Sequence, residues 1–164
     1  MMVLDFNADE IFQIAEQIEQ NGARFYRGAA ELDFDEGTKK KLLALAEMED
    51  AHEKTFVAMR KELSGQEVAS TVFDPHGEVA NYLKAMADSY VFQKSAAPED
   101  LLSGKSIEEV LKIAIGLEKD SIVFYLGIQE SVPEKSGKDK IGNIIKEEMS
   151  HVTLLTNELK ALTK

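Results

Sequence analysis

The chain of 164 residues contains no cysteine and no tryptophan, only three prolines, and 7% aromatics. Without cysteine there is no disulfide, no thiolate-bound iron–sulfur or rubredoxin-type centre, and no cysteine nucleophile. So little proline and aromatic content favours helices over sheets. Basic residues are also scarce, 19 against 30 acidic, for a net charge of −11. Such a chain repels phosphate backbones and has no polybasic segment for anionic lipid. Nucleic acid and membrane are therefore not expected as partners. No apolar stretch approaches the roughly 20 residues needed to span a bilayer. Residues 1–7 lack the basic region and apolar run of a signal peptide, so the cytoplasm is the expected compartment. The length suits one domain over residues 1–164 with a sizeable core.

What the chain does have, it has twice. Glu19, Phe25-Tyr26, Glu49 and His52 recur 99 residues later as Glu118, Phe124-Tyr125, Glu148 and His151. Sliding the chain by 99 residues without gaps pairs 7–63 with 106–162 and gives 14 identities in 57 positions. Chance agreement between amphipathic helices can supply several of these, but it would rarely select one His and two particular Glu. The chain reads as two related helical hairpins, since a solenoid needs more repeats.

Apolar spacing predicts long helices over 8–33, 36–63, 107–131 and 137–162, with a shorter one over 77–93. Asn7 with Glu10 and Ser106 with Glu109 each form a capping-box pattern. Turns are expected near Phe34-Asp35 and Pro133-Glu134, and loops at Ala96-Ala97-Pro98 and Ser103-Gly104. Gly28 and Gly127 inside helices suggest close helix approach. Met48, Met59, Met86 and Met149 are expected to fill core gaps, and His76 to lie in a surface loop.

With 30 acidic residues most carboxylates belong to solvated faces, so the repeat serves as a filter. Glu16, Glu47 and Glu53 lie near the pattern, but their counterparts are Ile115, Lys146 and Val152. Glu19, Glu49 and His52 survive it. In antiparallel hairpins Glu19 and Glu49 stand at nearly the same height, as do Glu118 and Glu148, at about 1.5 Å of rise per residue. Each Glu-x-x-His pair shares a helix face. One Glu from each of two helices and Glu-x-x-His from each of two others is the ligand inventory of ferritin-like di-iron or di-manganese bundles. The expected fold is all-α: a ferritin-like antiparallel four-helix bundle of two hairpins, joined by a long crossover with a short extra helix. Four carboxylates facing one another would raise some of their pKa values. Oxygen-rich ligation with two imidazoles suits Fe or Mn, and Zn is also admissible.

These paired motifs resemble the rubrerythrin branch of the ferritin-like superfamily over nearly the whole chain. The resemblance implies a carboxylate-bridged centre of two Fe ions reacting with hydrogen peroxide or oxygen. Glu19 and Glu118 would each serve one iron, Glu49 and Glu148 would bridge, and His52 and His151 would each cap one. Tyr26 and Tyr125 would hold ligand carboxylates by hydrogen bonds. Typical members add a four-Cys rubredoxin-like domain, which a chain without Cys cannot supply, so an external electron donor, rubredoxin-like or a flavoprotein, is expected. Typical members also carry an extra glutamate where this chain has Ser121, which makes the site more symmetric. The expected activity is peroxide or oxygen reduction, in a homodimer. The alternatives are a ferroxidase or iron-storage protein, which needs a large shell, and a non-catalytic metal-binding helical bundle.

Overall fold

A computed structural model describes residues 8–63, 76–86, 97–132 and 134–164. Its long helices are α1 (Ala8–Ala30), α2 (Glu36–Leu63), α4 (Ile107–Ser131) and α5 (Lys138–Leu162), with a short α3 (Glu78–Met86) between the pairs. Single-turn 3-10 helices lie at Pro98–Leu102 and Glu134–Ser136. No strand occurs among the described residues.

Local chemistry sets the boundaries. α1 ends at Ala30, short of the expected residue 33, because its last turn tightens. Glu31 and Leu32 donate to the carbonyls of Gly28 and Ala29, three residues back. Asp35 then starts α2: its carboxylate accepts from the Thr38 backbone N–H at 3.0 Å and from the Thr38 hydroxyl at 2.6 Å. Ser106 and Glu109 form the expected capping box on α4, whereas Asn7 lies outside the described residues. Gly137, at φ 105°, makes the turn into α5, which begins one residue later than expected. The short helix is described only over Glu78–Met86, with 87–93 outside the described residues, and Pro98–Leu102 forms a turn of helix where loop was expected.

α1 packs extensively on α2, and α4 on α5, while the α1–α4 and α2–α5 seams between the two hairpins are much thinner. Two apolar clusters occupy opposite ends of the bundle. One gathers Phe12, Phe56, Met59, Phe124, Ile128 and Ile141. The other gathers Phe25, Phe34, Leu42, Leu45, Leu111 and Leu155. The start of α1, the end of α2, the end of α4 and the start of α5 thus share one pole. Packed neighbours run antiparallel, and the diagonal pairs run parallel. Phe25 and Phe124 are core residues as expected, and His76 is exposed. Met59 is fully buried, but Met48 and Met86 are half-buried and Met149 is 50% exposed, so of the four methionines expected to fill core gaps only Met59 lies fully in the core. Gly28 and Gly127 do permit close approach, though not between hairpin helices. A Cβ on Gly28 would lie 2.9 Å from Leu102, and one on Gly127 would lie 2.7 Å from Tyr82 of α3.

Candidate metal centre

Between the two apolar clusters, at mid-height, the four long helices turn six polar side chains inward. Glu19 lies on α1, Glu49 and His52 on α2, Glu118 on α4, and Glu148 and His151 on α5, all at most 4% exposed. Thr38, also buried, lies apart from them in the α2 cap. The six candidates picked out by the repeat are therefore brought together in the interior.

Their atoms fall into two overlapping groups. Glu19, Glu49, His52 and Glu148 can each place one donor atom within 4.8 Å of the others, and so can Glu49, Glu118, Glu148 and His151. Glu49 and Glu148 belong to both groups. The Nδ1 of His52 lies 2.9 Å from Oε1 of Glu148, and the Nδ1 of His151 lies 3.0 Å from Oε2 of the same carboxylate. The two imidazoles stack with ring centres 5.8 Å apart.

These atoms are close without being satisfied. Both Nδ1 atoms, both oxygens of Glu148, Oε1 of Glu49 and Oε2 of Glu19 are buried and make no hydrogen bond. Buried polar atoms are otherwise nearly always paired. Here the donor atoms of each group crowd within 4.8 Å of one another without hydrogen bonds among them, an arrangement a cation would satisfy, and the oxygen-plus-imidazole set fits iron or manganese.

Tyr26 of α1 donates to Oε1 of Glu118 on α4, and Tyr125 of α4 donates to Oε1 of Glu19 on α1. The two bonds cross the α1–α4 seam in opposite directions, so each hairpin orients the carboxylate of the other. Burial, reinforced by neighbouring carboxylates, pushes both phenols well above their ordinary pKa, so they remain donors.

Burial raises Glu19, and it holds Glu49 and Glu118 well above the usual carboxylate range. Burial acts on Glu148 in the same sense, but the adjacent His151 and His52 imidazoles outweigh it and keep Glu148 well below that range. Burial opposes charge on the imidazoles too. The surrounding carboxylates nonetheless lift His52 to about 11 and His151 to about 12. Protons thus neutralise the cluster, and divalent cations could displace them.

Two residues were missed by the repeat filter. Glu147 accepts from Nε2 of His52 at 2.6 Å across the α2–α5 seam, but its counterpart 99 residues earlier is Met48. Gly22 lies three residues after Glu19, where a Cβ would sit 2.8 Å from Oε2 of Glu49. A glycine inside a long helix one turn from a ligand candidate was a usable signal. Its counterpart is Ser121, whose hydroxyl donates to the Leu117 carbonyl at 3.0 Å within its own helix.

The fold and the cluster define a ferritin-like helical bundle with carboxylate and imidazole groups that could hold two metal ions. The solved structure of a protein described as a ferritin-like diiron-carboxylate protein from Thermotoga maritima is similar, with a TM-score of 0.67 and 26% identity. The similarity covers 94% of this chain and 95% of that one. Residues 10–159 match the rubrerythrin family model, and the chain belongs to the rubrerythrin family. No curated protein matches it.

Proposed function

We propose that the chain is one ferritin-like unit over residues 1–164 that reduces hydrogen peroxide, or oxygen, at a two-iron centre, drawing electrons from an external donor. Glu19, Glu49, His52, Glu118, Glu148 and His151 are the ligands, with Glu49 and Glu148 shared between the ions. The observation that carries this reading is the pair of overlapping four-residue groups whose buried donor atoms are unsatisfied within the protein. A ferrous pair would supply the two electrons that, with two protons, convert one peroxide to two waters.

The chain's own residues prepare the site for that chemistry. Tyr26 and Tyr125 hold Glu118 and Glu19 in orientation by direct hydrogen bonds. Phe25 and Phe124, each next to one of these tyrosines and fully buried, exclude water from above and below. The chain has no cysteine to hold an electron-transfer centre of its own, so a rubredoxin-like protein or a flavoprotein is the fitting donor. No described helix is long and apolar enough to cross a membrane; the compartment proposed is the cytoplasm and the assembly a homodimer.

The test is an anaerobic Fe(II) titration followed by rapid mixing with peroxide and, separately, with oxygen. Two irons per chain, oxidised much faster by peroxide, are expected, and Glu49→Ala should abolish peroxide consumption. Unchanged consumption in that variant would reject the ligand assignment. Faster oxidation by oxygen that continues past two irons would mark a ferroxidase, and a cage seen by light scattering would agree with storage.

A further inference from the structure

The tyrosine–carboxylate bonds treat the two halves of the site alike, but the histidines do not. Both imidazoles turn Nδ1 toward Glu148, at 2.9 and 3.0 Å, leaving Nε2 to face away from the cluster. On His52 that nitrogen meets the Glu147 carboxylate at 2.6 Å. On His151 it is buried, sealed from solvent, and has no hydrogen-bond partner.

An imidazole that gives its Nδ1 lone pair to a cation must carry its proton on Nε2, and that N–H needs an acceptor. Glu147 provides one for His52. It also fixes the plane of the ring and makes the facing nitrogen a better donor. Glu147 itself is 50% exposed. In the 99-residue register the corresponding residue is Met48, whose thioether is only a weak acceptor.

We propose that the two metal positions are unequal. The position formed by Glu19, Glu49, His52 and Glu148 fills first and binds more tightly, and Glu147 is the positioning residue that makes it so. The position formed by Glu49, Glu118, Glu148 and His151 is the weaker and more exchangeable one. The proposal rests on the six-ligand reading above, but its test reads metal affinity and needs no turnover.

The probe is Co(II), titrated without oxygen into metal-free protein against a competing chelator and followed by its visible d–d absorption. Wild type should bind in two resolved steps, the first at least tenfold tighter than the second. Glu147→Ala should weaken the first step by about 10–100-fold, the usual cost of losing such a partner, and merge the two. Glu147→Gln, whose amide oxygen still accepts, should restore most of the separation, a rescue that a purely structural role would not give. Met48→Glu supplies the missing acceptor and should tighten the second step. Circular dichroism of each variant checks that the helices persist. Two equal steps in wild type would overturn the inequality, and two well-separated steps surviving in Glu147→Ala would overturn the part assigned to Glu147, while either leaves the six ligands standing. Failure of wild type to bind Co(II) would overturn both.

Discussion

At Gly22 a single missing methyl group makes room for the Glu49 carboxylate. The Glu49 carboxylate packs against the bare Cα of a neighbouring helix, and a Cβ there would lie 2.8 Å from Oε2. Gly22→Ala is therefore expected to improve helix propensity by up to about 1 kcal/mol while pushing Glu49 off its position. Thermal melting should show the fold retained or strengthened in the metal-free variant, and iron titration should show weakened binding. Tight stoichiometric binding by the variant would mean that Glu49 can reposition freely. Residue identities at the site were largely legible, because duplication separated Glu19, Glu49 and His52 from many decoy acids. The same comparison hid Glu147 and Gly22, whose roles exist in only one half. A filter built on symmetry is blind to whatever breaks it.

The helices owe their boundaries to caps that the sequence carries openly in some places and only in part in others. Ser106 accepts from the Glu109 N–H at 3.2 Å, and Glu109 returns a bond to the Ser106 N–H at 2.8 Å. Removing one half of this box with Ser106→Ala should cost about 1 kcal/mol, read as a lowered midpoint in urea with an unchanged slope. Because Glu118 lies 12 residues beyond this cap on α4, the metal-binding stoichiometry should not change. The four long helices were legible from apolar period alone. The end of α1 was not, because residues 31–33 continue the period while the backbone already tightens toward the Asp35 cap. Nor was the short helical turn at Pro98–Leu102. Arg24 grips Glu99 there through two hydrogen bonds of 3.0 and 2.9 Å, a long-range pairing that no local pattern announces.

Across the whole molecule, the buried cluster makes stability depend on pH. The folded-state pKa values of His52 and His151 stand above the ordinary imidazole value, at about 11 and 12. Their contribution is complete below about pH 6.5 and is lost as pH rises toward those values. Glu49 and Glu118 are raised as well, so above about pH 4.5 the folded chain again binds more protons than the unfolded one. Glu148 acts in the opposite sense, but its depressed pKa matters only as pH falls below about 4.5. Metal-free protein should therefore melt at progressively lower temperature from pH 5 to pH 8, whereas iron-loaded protein should not, since bound ions replace those protons. A flat metal-free profile would contradict the stated protonation. The hairpins themselves hold together by extensive packing, but the seams between them are thin, and each four-residue group draws on both hairpins. With the proposed ions bound, the clasp between the two hairpins would be inorganic. Iron supply would then become a mechanical property: a starved molecule should be nicked by protease faster than a loaded one, and its lifetime would register the metal it was able to find.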